Sequence, residues 1–142
     1  MLDHARHPRN RGGLELAEIV RRGRNPQCGD EIEVGIAVAR QARGEVLASA
    51  RFRGRGCAVC IASASIATDA LCAMTRADAV RLTREMTRWF GAGGAAPSGI
   101  SPALQALALV RDYPARLRCA LLAWQALSEA LDPDAVKPST PG

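Results

Sequence analysis

Lysine is all but missing from this chain: of nineteen basic side chains, eighteen are arginine, and Lys137 is the one lysine. Aromatics are nearly as scarce, with two tryptophans, two phenylalanines and one tyrosine, which leaves little for stacking nucleobases. Histidine is confined to His4 and His7, in a proline-interrupted terminus where both read as surface residues rather than metal ligands. No apolar run approaches the roughly 20 residues needed to cross a bilayer, so no membrane partner is expected. The first residues, Met1 to Pro8, lack the apolar centre of a secretory signal. Together these absences point to a cytoplasmic protein.

What is present is a domain-sized chain of 142 residues with 48% hydrophobic content, much of it alanine. One domain is expected over residues 1–131, with helices packed closely through small side chains. The proline-rich stretch 132–142 reads as a flexible tail. No internal repeat is visible. The net charge of +5 raises nucleic acid as a partner. The arginines are spread along the whole chain, however, and nucleic acid is set aside on that ground. Five cysteines in a reducing compartment read as metal-binding or reactive thiols rather than disulfides, and the odd count agrees.

The hydrophobic pattern predicts an α+β fold, a small antiparallel three-stranded sheet packed against several helices. A short helix or turn covers Asp3 to Arg11, and an irregular strand runs from Leu16 to Arg22 into the turn at Asn25-Pro26. Ile32, Val34, Ile36 and Val38 alternate with Glu31, Glu33, Gly35 and Ala37, the period of a half-buried strand. The glutamates read as its solvated face. Gln41 to Gly44 is a hairpin connection, and Val46, Ala48, Ala50 and Phe52 form the inward face of the partner strand. From Cys57 to Met74 the chain reads as one helix, with Ala58, Ala62 and Ser65 as a small face against the sheet. Ile61 and Leu71 are its larger core contacts, and Cys72 is a buried small hydrophobe in mid-helix. Thr75 caps a helix with Leu82, Met86 and Trp89 as its apolar stripe. Gly91 to Gly99 is a flexible loop. Ser101-Pro102 opens another helix as N-cap and first residue, with Leu104, Leu107 and Ala108 inward. Pro114 opens the last, with Leu117, Leu121, Trp124, Leu127 and Leu131 inward. Both tryptophans read as core residues.

Three segments carry the chemistry. Asn25-Pro26-Gln27-Cys28-Gly29-Asp30 is a turn with a thiol and a carboxylate. Arg55-Gly56-Cys57 places a cysteine at a helix start, among unpaired N–H groups and the positive end of the helix dipole. Arg118-Cys119-Ala120 supplies a third thiol. A hairpin returns the entry to its first strand and the exit of its second to one edge, which makes Cys28 and Cys57 neighbours by topology. Cys28, Asp30, Cys57 and Cys119 then offer three soft donors and one hard one, a set accepted by tetrahedral zinc or, equally, by the irons of a [2Fe–2S] cluster. A carboxylate is the weaker partner for a soft metal, so the site reads as labile rather than structural, and Arg118 or Arg55 offsets its surplus negative charge. Two other readings stay open on spacing alone: unrelated buried cysteines, and a redox pair Cys57-Ala58-Val59-Cys60, which lacks a thioredoxin-like βαβ setting.

With those motifs in hand, the chain from Leu2 to about Leu131 resembles the U-type iron–sulfur cluster assembly proteins, the SufU/IscU/NifU N-terminal family. The matching stretches are Asp3-His4 through Pro8-Arg9-Asn10, the Asn25 to Asp30 turn, Gly56-Cys57 with Ala62-Ser63-Ala64-Ser65, and Tyr113 to Cys119. It looks most like the SufU branch. The stretch around Gly91 to Gly99 is absent from IscU-type members, Arg118 stands where they carry histidine, and Tyr113 to Arg116 replaces their chaperone-recruiting motif. The resemblance implies that Cys28, Asp30, Cys57 and Cys119 bind zinc and that Arg118 steadies negative charge at the site. Cys28 is then the reactive thiol that accepts persulfide sulfur from a cysteine desulfurase, a sulfurtransferase-like relay that passes sulfur to a downstream scaffold or apo-proteins. The alternative is a scaffold that builds and hands on a [2Fe–2S] cluster, with iron at the same site. A third reading is a zinc-stapled interaction domain without sulfur chemistry. Cys60, commonly serine in this branch, is a departure: a fifth thiol beside the site, able to serve as a spare ligand or to oxidise with Cys57. The resemblance also implies a terminal helix short of its first turn.

Overall fold

The computed structural model describes residues 2–15, 17–25, 29–42, 44–92, 100–110 and 112–131. Their elements, in chain order, are α1 (Leu2–Arg6), β1 (Ile19–Asn25), β2 (Asp30–Gln41), β3 (Gly44–Arg55), α2 (Ala58–Leu71), α3 (Arg76–Ala92), α4 (Pro102–Ala106) and α5 (Pro114–Leu131), with a 3-10 turn at Leu107–Val110. The strands form one antiparallel sheet in the order β1-β2-β3. This is the α+β arrangement that the alternation of apolar residues predicts. Cys28, most of the Gly91 to Gly99 stretch and the 132–142 tail lie outside the described residues.

Ile32, Val34 and Ile36 are fully buried on the inner face of β2, where α2 and α5 cover the sheet. On the opposite face, Glu31 and Glu33 pair with Arg22 and Arg53. The partner strand departs from simple alternation. A register shift at Ala37/Val38 sets Ala37 opposite Ser49 and Val38 opposite Leu47, so Ala48 has no partner. A bulged residue flips the faces of everything beyond it. Leu47 is therefore fully buried and Ala48 exposed, the reverse of the expected order; Ala50 and Phe52 remain in the core, and Val46, on the other face from Leu47, is buried beside its bridge to Thr75. The first strand also begins later than expected, at Ile19, and runs on to Asn25.

The helix after the sheet is wrapped on more than one side. Ser63, Ser65 and Thr68 are fully buried along it, and each hydroxyl is satisfied, as buried polar groups must be. Ser65 Oγ lies 2.7 Å from His4 Nδ1 and accepts the Arg9 N–H at 2.7 Å. Asn10 Nδ2 donates to Thr68 Oγ1 at 3.3 Å. Ser65 thus faces the N-terminal segment and not the sheet, Ala58 is exposed, and His4 is buried rather than on the surface. The local sequence gives no sign of this, because the hydroxyl and the imidazole are 61 residues apart. On another side, Ser63 Oγ donates to the Ala120 carbonyl at 2.7 Å and accepts from Trp124 Nε1 at 3.1 Å, which ties α2 to α5. The helix ends at Leu71 rather than Met74; Cys72 is its C-cap and only half-buried, and Ala73 turns with φ +71°. Thr75 and Ser101 cap the starts of α3 and α4 as expected, accepting the N–H groups of Asp78 and Leu104. Trp89 and Trp124 are core residues. No helix among the described residues is long and apolar enough to cross a membrane.

Candidate metal centre

Three elements meet at one end of the sheet. Asp30 is the first residue of β2, and Glu31 is paired with Arg55, the last residue of β3. Two residues later Cys57 is the N-cap of α2, in extended conformation, and its side chain makes no capping bond. Cys119 lies in the second turn of α5, only 4% exposed. Hairpin topology therefore brings Asp30 and Cys57 together, and packing of α5 across the sheet delivers Cys119. Ligand atoms of these three side chains all lie within 4.8 Å of one another. Donors on one tetrahedral zinc, at bond lengths of about 2.0–2.3 Å, stand roughly 3.5–3.8 Å apart, so a small adjustment closes the group on an ion.

The carboxylate carries the clearest sign of a missing positive partner. Asp30 Oδ1 accepts the Cys57 N–H at 3.1 Å, which fixes the orientation of the group. Asp30 Oδ2 is buried and, among the described residues, has no hydrogen-bond partner. An unsatisfied buried acceptor costs on the order of 1–3 kcal/mol, and a cation bound beside it removes that penalty. The donor set and the bare oxygen together fit a metal ion.

Gly56 explains how the group is packed. A Cβ built there lies 2.9 Å from Cys60 Sγ and 3.1 Å from Asp30 Oδ1, too close for a real side chain. Cys60 is fully buried behind this glycine and is not among the three grouped donors. None of the four described cysteines forms a disulfide.

A cavity of about 630 Å³ opens over the three donors. Asn25 and Gly29, which flank residues 26–28, both line it, and the Gly29 N–H bonds the Asn25 carbonyl at 2.9 Å. Arg55, Arg116 and Arg118 line it too. The N-terminal ends of α2 and α5 face the same space, so helix dipoles and guanidinium groups complement an anionic ligand set. Of the sequence-derived candidates, Asp30, Cys57, Cys119 and Arg118 thus share one cavity, and Cys28 lies outside the described residues. Sequence reasoning missed Arg116, which lines the same cavity from the first turn of α5.

Comparison with known proteins bears on this centre. The NifU-like N-terminal domain family matches residues 1–120. The chain is 31% identical over 131 residues to the iron–sulfur cluster assembly scaffold protein IscU of Thermotoga maritima, covering 92% of this chain and 89% of that one. It is 30% identical over 131 residues to the zinc-dependent sulfurtransferase SufU of Bacillus subtilis, covering 92% and 86%. Among solved structures it superposes on an iron–sulfur cluster assembly scaffold protein for the SUF system from Fervidobacterium islandicum with a TM-score of 0.81, at 25% identity and 92% coverage of both chains.

Proposed function

The chain belongs to the NifU-like N-terminal domain family of iron–sulfur cluster assembly proteins, and on that footing we propose that it is a zinc-dependent acceptor of persulfide sulfur from a cysteine desulfurase. Asp30, Cys57 and Cys119, with Cys28, hold the ion. Bound zinc keeps the thiolates in place and neutralises part of their charge. Cys28 is the acceptor: its thiolate attacks the outer sulfur of the donor's persulfide, the S–S bond breaks, the donor thiolate leaves, and the sulfur remains on Cys28 as a new persulfide. Arg118 holds negative charge near that thiol, and a downstream scaffold or apo-protein takes the sulfur.

The observation that carries this reading is the convergence of three donors within 4.8 Å around a buried, unpartnered carboxylate oxygen. That spacing favours a single ion, since donors at opposite ends of a two-iron cluster are held apart by two metals and their bridging sulfides. The likeness to a protein named a zinc-dependent sulfurtransferase supports the same reading. The test is metal analysis of the purified chain together with desulfurase turnover. One zinc per chain and stimulated turnover are expected, with stimulation lost in Cys28→Ala. Unchanged stimulation by that variant removes Cys28 from the role.

The equal likeness to a protein named a scaffold favours a second reading, assembly of a [2Fe–2S] cluster as cargo. Anaerobic incubation with iron and sulfide, followed by transfer to an apo-ferredoxin, separates the two. Efficient transfer without desulfurase stimulation selects the scaffold.

A further inference from the structure

The arginines that lie scattered in sequence are gathered by strand register. On the outward face of the sheet Arg22, Glu33 and Arg53 stand side by side across the three strands, and Arg24, Glu31 and Arg55 form the next row. Two columns of arginine thus flank one column of glutamate. With strands about 4.8 Å apart, the arginine columns are separated by roughly 10 Å. All four arginines are exposed. Glu31 pairs with Arg22 at 3.3 Å and Glu33 with Arg53 at 2.8 Å. Among the described residues, neither Arg24 nor Arg55 has an ion-pair partner.

The next row is covered in part, at its middle strand, while Val20 at its edge stays exposed. A Cβ at Gly35, in the next row, meets Ala17 and Leu14 of the segment before β1, and Arg51 in that row donates to the Gly13 carbonyl. The two arginine rows are the ones that adjoin the metal centre. Arg55 lines the cavity over the centre and also the shallow depression formed with Arg22, Glu31, Glu33 and Gly54. A cation just before the N-terminus of α2 is repelled by the helix dipole, a cost set against its place beside the anionic donor set.

We propose that this half of the outer sheet face is the docking surface for the sulfur-donating protein. The partner presents two columns of carboxylates about 10 Å apart, and its delivering cysteine enters the adjoining cavity. This inference rests on the sulfur-acceptor reading. The glutamate column favours a protein over nucleic acid, because a phosphate backbone laid across the face meets carboxylates at its centre, and these two rows hold no aromatic side chain for a base to stack on.

The test uses the full-length chain, zinc-loaded, with the cysteine desulfurase of the same organism. Binding is read by fluorescence anisotropy and turnover by alanine release, so docking and stimulation are scored separately. The doubly charge-reversed variant R24E/R53E is expected to weaken binding and raise the half-saturating concentration by about tenfold or more at low salt. Turnover at saturation and zinc content should stay unchanged, and R24K/R53K should restore binding. Wild-type binding should weaken markedly between about 0.05 M and 0.3 M salt. Unaltered affinity of R24E/R53E overturns the docking surface, as does a wild-type chain that fails to bind. Binding without stimulated turnover overturns the sulfur-acceptor reading instead, and the charge-reversed pair still decides the docking. Tighter binding to a DNA duplex than to the desulfurase assigns the face to nucleic acid and overturns the proposal.

Discussion

Asp30 uses one carboxylate oxygen to hold the Cys57 amide, and the other is buried without a partner among the described residues. Replacing this hard donor by a soft one should trade lability for affinity. Asp30→Cys is expected to retain zinc more tightly in competition with a chelator and to transfer sulfur more slowly; equal transfer by both forms removes lability as the aspartate's role. Gly56 is as exacting. Gly56→Ala drives a methyl against Cys60 Sγ and Asp30 Oδ1. Overpacking of this kind costs about 1–3 kcal/mol, so stability to denaturant should fall by that amount and zinc retention in the same competition should weaken as Asp30 is displaced. The three grouped donors, Asp30, Cys57 and Cys119, were legible because each stands in a short motif whose chemistry needs few neighbours. The strictness of Gly56 was not legible, since it depends on where Cys60 tucks once the helix has docked.

At the scale of elements, α2 is the hub, and its buried hydroxyls fasten it to its neighbours. Ser63→Ala leaves Trp124 Nε1 and the Ala120 carbonyl without that partner. The expected loss is about 1–3 kcal/mol in denaturant unfolding. The clasp between the N-terminal segment and α2 adds a pH dependence. Burial, with Arg9 nearby, pushes His4 below the ordinary histidine range, against an opposing pull from Asp69. The unfolded chain therefore binds more protons just below about pH 6.5, and stability falls as pH drops through that window. Thermal midpoints taken from about pH 7.5 to pH 5 should decline less steeply in His4→Gln than in the wild type. The strands and four of the helices could be read from period and capping residues. The bulge at Ala48 and the clasp could not: one needs the register against β2, and the other joins residues remote in sequence.

For the whole molecule, the three grouped donors come from β2, the cap of α2 and α5, so an ion there adds a further tie to parts of the fold already joined by packing and a few hydrogen bonds. A ligand present at a hundred times its dissociation constant adds about 2.7 kcal/mol to the folded state. Chelation is accordingly expected to lower the thermal midpoint by on the order of 5–10 °C, read by calorimetry with and without zinc. A midpoint indifferent to chelation places the donors' ion elsewhere. Overall architecture was the most legible level, because three strands and a set of amphipathic helices have few ways to close one core. The gathering of the arginines was the least legible, for a linear spread of charge becomes a surface only when register is known.

Trp124 is fully enclosed where α2 and α5 meet, its indole nitrogen bonded to Ser63. One of those helices begins at Cys57 and the other carries Cys119. Any slight turn of either helix as the donors close or release changes the polarity around this ring, so the chain contains its own optical gauge. With Trp89, the only other tryptophan, replaced by phenylalanine, a single emitter remains, and loading and unloading can be followed without attaching a dye.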